Sequence, residues 1–179
     1  MTLASPVMDA LYGTAMKLTR NEEVARDLVQ DTYLKAFKYF DTFERGTNFK
    51  AWMFRIMTRL FYDRYNERKR TAAMFSAFDD VAINATADPD SRSGAGERRL
   101  LAAEAQQALD QLPADFRLPL VLCDVHEFSY QEIADIMECP IGTVMSRLFR
   151  ARKRMKEIIL NMNQTDGTET TKSGQIIPF

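Results

Sequence analysis

Cysteine is nearly absent from this chain: Cys123 and Cys139 are the only two in 179 residues, which excludes a disulfide framework. Histidine occurs once, as His126, leaving little for acid–base chemistry. Glycine is scarce at seven residues, and no alternating apolar–polar run of strand length stands out. No apolar run approaches the ~20 residues of a bilayer-spanning helix. Met1 to Met8 lack the basic flank and apolar stretch of a secretory signal. No G-x-x-x-x-G-K-[ST] phosphate loop occurs, and no nucleophile–base arrangement stands out. What is left, at 46% apolar and 27% charged residues, is globular. The chain reads as a soluble, cytoplasmic protein that is not an enzyme.

The net charge of −1 hides a segregation. Residues 1–78 hold 13 Lys/Arg against 9 Asp/Glu, and residues 79–98 hold 2 against 5. Arg147, Arg150, Arg152, Lys153, Arg154 and Lys156 then fall within ten residues that contain no acid. A local stripe of this kind, not the whole-chain balance, is what meets phosphates.

Helical periodicity dominates. Met8, Leu11, Tyr12, Ala15 and Leu18 make a first apolar stripe. A second helix starts after Asn21, a good N-cap followed by Glu22 and Glu23. It places Ala25, Leu28, Val29, Thr32, Tyr33, Ala36, Phe37 and Phe40 on one side. After a polar break containing Gly46, a third helix is predicted from about Phe49 to Arg70. Residues 76–98, rich in Ala, Asp, Ser and Gly with Pro89, read as an acidic flexible linker. Helices resume at 100–112, 115–126, 129–137 and 141–160, and a polar tail follows. The predicted fold is all-α, two small helical domains on a tether. They span 1–72 and 99–160, with the linker at 73–98 and a disordered tail at 161–179.

The sharpest local motif is residues 129–155. Ser129 and Glu132 form an S-x-x-E capping box, and Ile133, Ala134, Ile136 and Met137 give that helix an apolar face. Glu138-Cys139-Pro140 makes a short break, with Pro140 suited to a first helical turn. In the next helix Ile141, Val144, Leu148, Ala151 and Met155 recur at spacings of three and four. Thr143, Ser146, Arg147, Arg150 and Arg154 lie away from that stripe, where they can reach phosphates and base edges. Two short helices with a tight break and a basic outer face describe a DNA-reading helix-turn-helix.

Eleven aromatic residues lie between Tyr33 and Tyr65, with Lys50, Arg55, Arg59 and Arg64 threaded among them. Rings stack on unpaired bases while cations track the backbone, the composition of a single-strand-binding surface. Most of these rings are expected to pack a helical bundle instead, since Phe37, Phe40, Trp52 and Ile56 sit at core spacing.

These residues also carry a resemblance. DLVQDTYLKAFKYFDTF (27–43), NFKAWMFRI (48–56) and YDRYNERKR (62–70) resemble region 2 of bacterial sigma factors, and residues 109–155 resemble region 4. With no room for a region 3 domain, the chain is similar to the extracytoplasmic-function group. Segments 43–56 and 140–152 are similar to members controlled by zinc-containing anti-sigma factors in thiol-oxidative stress. The resemblance implies partners: core RNA polymerase, through its beta-prime coiled coil and beta flap, promoter DNA, and an anti-sigma factor. It implies that Asp27, Gln30 and Asp31 bind polymerase. Asn48, Trp52, Arg55, Arg59, Asp63 and Arg64 would meet the −10 element, the loop 41–49 capturing a flipped base. Thr143, Ser146, Arg147, Arg150 and Arg154 would meet the −35 element. Many members carry Asn where Arg59 stands, a departure that bears on −10 preference.

Other readings are weaker. Cys123, His126 and Cys139 supply three metal ligands where a structural zinc site takes four, so no metal or other cofactor is expected. The sequons at 84–86 and 163–165 are chance matches. The rival function is a stand-alone helix-turn-helix repressor or activator, with the aromatic segment as a sensor or dimer interface. Regulation is expected from an inhibitor docking on Met53, Phe54 and Met57, or from Ile176–Phe179 folding back on the chain.

Overall fold

The computed structural model describes residues 4–75 and 96–166, and all regular structure among them is helical. Helices α1 (Ala4–Thr19), α2 (Glu22–Lys38) and α3 (Phe49–Phe75) build the first module. Helices α4 (Gly96–Gln111), α5 (Ala114–Asp124), α6 (Tyr130–Ile136) and α7 (Ile141–Asp166) build the second.

Local chemistry sets the helix ends. Helix α1 closes where Arg20 turns left-handed at φ +54°, and Asn21 then accepts the Val24 N–H at 3.0 Å to open α2. Glu22 and Glu23 in the first turn and Lys35 and Lys38 in the last complement the helix dipole. Asn48 starts α3 by accepting the Ala51 N–H at 3.1 Å. The capping box at Ser129 forms as the spacing predicts. Ser129 Oγ accepts the Glu132 N–H, and Glu132 Oε2 accepts the Ser129 N–H at 2.9 Å.

Each module has the apolar interior its periodicity implies. Leu11, Ala15, Leu28, Met53, Phe54 and Met57 fill the first, and Leu118, Leu122, Ile133, Ile136, Val144 and Leu148 fill the second. Three expectations are corrected here. Phe37, on the solvent side of α2, is 87% exposed, and Phe40, beyond the end of α2, is half-exposed although its ring lies 6.3 Å from that of Trp52. Met53, Phe54 and Met57 are fully buried and offer no docking face. Helix α7 continues to Asp166, past the start of the polar tail expected from Asn161. Of the linker expected at 73–98, residues 73–75 end α3 and residues 96–98 begin α4, while residues 76–95 and Ile176–Phe179 lie outside the described residues.

The two modules pack on one another, α5 against α1 and α6 against α3. Arg117 of α5, only 5% exposed, joins them. Its guanidinium donates to the Leu109, Asp110 and Leu112 carbonyls of its own module and to those of Lys17 and Leu18 at 3.0 and 3.3 Å. The last two close α1, whose C-terminal carbonyls favour a cation. Burial, then Arg20 nearby, lowers the Arg117 pKa to about 10. The second joint is His126, whose Nε2 lies 2.6 Å from Thr14 Oγ1. Its ring packs on Phe54, centroids 4.8 Å apart.

Candidate polymerase and nucleic-acid interfaces

On α2, Asp27 and Gln30 are exposed, as their place opposite the apolar stripe implies. Leu34 and Phe37 follow on the solvent side and Tyr39 and Phe40 lie just beyond the helix, so acid and amide groups border an uncovered apolar patch. Asp31, the third residue of this group, differs from the other two. It is half-buried and takes Arg64 Nη2 on its Oδ2, which ties α2 to α3. Arg64, which the resemblance groups with the −10 residues, is half-buried and directs its Nη2 to Asp31.

The remaining candidate −10 residues line up along α3. Asn48, Trp52, Arg55, Arg59 and Asp63 recur at spacings of four, three, four and four, which keeps them on one face. Trp52 is held in an aromatic cluster with Phe40, Phe43 and Phe49, at centroid distances of 6.3, 5.2 and 5.9 Å. This cluster braces the 41–49 loop and the α3 entrance. Asn48, Arg55, Arg59 and Asp63 are exposed, but two of them are engaged. Asn48 Nδ2 donates to Glu132 Oε1 at 2.8 Å, and Arg55 Nε donates to Glu138 Oε1 at 3.0 Å.

On α7 the buried stripe is Val144, Leu148 and Ala151. Ser146, Arg150 and Arg154 stand in solvent, whereas Thr143 and Arg147 are half-buried. Arg147 shares a cleft of about 520 Å³ with Arg59 and Asp63 of α3, so the structure brings one −35 candidate beside two −10 candidates. Arg152, part of the basic run, is taken up inside its module. It donates to Asp124 at 2.7 Å and lies 3.5 Å from Tyr130 Oη and Cys123 Sγ.

Charge environments follow this packing. Burial first, then Lys50 and Lys17, pushes the His126 pKa down to about 4. Hydrogen bonds from the Ser129 backbone and side chain, with Asn48 and Lys50 nearby, hold the Glu132 carboxyl below its usual range against a smaller opposing effect of burial. Burial raises both cysteine thiols. His126 is committed to Thr14, and no metal-holding cluster of three or more His, Cys, Asp or Glu occurs among the described residues. No helix among them is long and apolar enough to cross a membrane.

Sequence reasoning missed Arg117 and Glu138, and it read Glu132 as a helix cap without its contact to α3. A lone Arg within the apolar run 116–122 was the one available signal for the first. Nothing local marked the α3 contacts of the two acids, since their partners lie over 80 positions away.

Comparison with known proteins agrees with this layout. Residues 3–71 match sigma-70 region 2 and residues 102–155 match sigma-70 region 4. The chain is 36% identical over 153 residues to the ECF RNA polymerase sigma factor SigE of Mycolicibacterium smegmatis, covering 84% of this chain and 58% of that protein. It is 34% identical to the ECF RNA polymerase sigma factor EcfG of Rhodopseudomonas palustris, covering 89% of this chain and 82% of that one. Among solved structures, the sigma factor RpoE of Bartonella quintana, in complex with the anti-sigma factor NepR, superposes with a TM-score of 0.71 at 35% identity. That match covers 87% of this chain and 93% of RpoE. CnrH, in complex with the cytosolic domain of CnrY, shares the fold with a TM-score of 0.61 at 23% identity, over 89% of this chain and 86% of CnrH. With both regions present in order and a relative of 34% identity matched over 82% of its length, this chain belongs to the ECF sigma factors of the sigma-70 family.

Proposed function

We propose that this chain binds core RNA polymerase through the exposed face of α2 and positions it on promoter DNA through α3 and α7. The observation that carries the reading is the α2 patch. Phe37 stands almost wholly in solvent beside Leu34, close to exposed Asp27 and Gln30. Rings left uncovered next to polar groups mark a protein interface, and neither DNA-reading helix needs them. Asp27 and Gln30 supply polar contacts to the beta-prime coiled coil, and Asp31 acts from behind by holding Arg64. Asn48, Trp52, Arg55, Arg59 and Asp63 meet the unstacked −10 strand, exchanging base stacking for ring and cation contacts. Thr143, Ser146, Arg147, Arg150 and Arg154 enter the −35 major groove, while the beta flap supports the second module. All of this is binding work, and no reaction is assigned to the chain.

Control is assigned to an anti-sigma factor, supported by the NepR-bound form of the similar RpoE. The likeness of 43–56 and 140–152 to members held by zinc-containing inhibitors extends this to a metal-bearing partner, and zinc analysis of the purified complex tests it. For the main reading, gel filtration of the chain with core polymerase should give a one-to-one complex that initiates on a cognate promoter. A chain that ignores core and binds a palindromic duplex as a dimer is the stand-alone regulator instead.

A further inference from the structure

A cleft of about 1030 Å³ between α3 and α6 has walls of opposed chemistry. Asn48, Trp52 and Arg55 form one side, with Glu44 of the preceding loop at its end, and Glu132, Asp135 and Glu138 form the other. Asn48 Nδ2 rests on Glu132 at 2.8 Å, and Arg55 places Nε and Nη2 each 3.0 Å from the same Glu138 oxygen. Glu138 reaches this position from a left-handed turn at φ +50°, a conformation that disfavours side chains and suits glycine. The turn thus presents a carboxylate to α3 from a backbone position where a side chain is costly.

We infer that in the free chain Glu132 and Glu138 stand in for nucleic acid and mask the −10 face of α3. Strand capture then requires α6 to leave α3. The inference rests on the assignment of Asn48 and Arg55 to −10 contacts made above. A strand entering the closed cleft would bring phosphates against the three carboxylates of the second module, besides Glu44, and find the Arg55 cation occupied. The mask is also releasable: Arg55 and Glu138 are 54% and 44% exposed, and such pairs are weak.

The test compares three full-length proteins: wild type, Glu132→Gln/Glu138→Gln, and Glu67→Gln/Glu157→Gln, which removes two charges away from the cleft. Gln at 132 retains the capping box, and Gln at 138 keeps the side-chain length. Each is titrated without polymerase against a short fluorescein-labelled single-stranded DNA of randomised sequence, and its radius of gyration is measured by small-angle scattering. The cleft variant should bind about two- to fivefold tighter than wild type, the range expected for losing the one exposed ion pair, Arg55–Glu138, and should be more expanded. Unchanged affinity, an equal gain in the control, or expansion without tighter binding each overturns the mask. The underlying reading fails separately, when wild type with core polymerase supports no transcription.

Discussion

Arg117 is bonded to five carbonyl oxygens, three in its own module and two at the end of α1. Replacing it with Met keeps bulk but strands buried acceptors, each of which costs about 1–3 kcal/mol when unpaired. Arg117→Met should lower unfolding free energy by at least about 3 kcal/mol, read as a lower urea midpoint. His126 adds a pH dependence with a definite sign. Its native pKa of about 4 lies below the ordinary value of 6.5, so the unfolded chain takes up the proton first. Stability from this residue is full above about pH 7 and falls as pH drops from 6.5 toward 4. Allowing for partial solvent access, the loss across that window is about 2 kcal/mol. His126→Gln, which can still bond Thr14, should flatten this part of a urea-midpoint-versus-pH curve. The Asp31–Arg64 pair changes how α2 is probed: Asp31→Lys would set two cations together and disturb α3. Asp27 and Phe37 are cleaner positions.

Helix α7 was legible because its information is local. Ser129 with Glu132, Pro140 after the break, and the Val144–Leu148–Ala151 stripe fix two helices and the face turned outward. On that face Arg150 is exposed, so Arg150→Ala should weaken −35 duplex binding without unfolding α7. If Arg150 meets a phosphate, the slope of log affinity against log salt should fall by about one; if it reads a base, about 1–3 kcal/mol and sequence choice are lost. An unchanged titration would put the recognition face elsewhere. Helix α2 shows the limit of such reading. Its spacing identified the apolar side but not where cover ends, so Phe37 and Phe40 were placed in the core and emerge on the surface. The same limit ran the other way for Met53, Phe54 and Met57, covered by α1, α2 and α5–α6 residues distant in sequence.

Across the whole molecule, two locally readable modules are joined by contacts that no local pattern carries. Arg117, His126 and Glu138 all act across separations of more than 80 residues. The account's central claim is that α2 is a polymerase surface, and one measurement addresses it directly. Asp27→Lys/Phe37→Asp alters only exposed side chains, so circular dichroism and binding to isolated −35 duplex should match wild type. Introducing unpaired charge into a desolvated interface costs several kcal/mol. Co-elution with core RNA polymerase and transcription from a cognate promoter should therefore fall together, by a hundredfold or more at about 3 kcal/mol. A variant that keeps its fold, still co-elutes with core and still transcribes at the wild-type level would contradict the account.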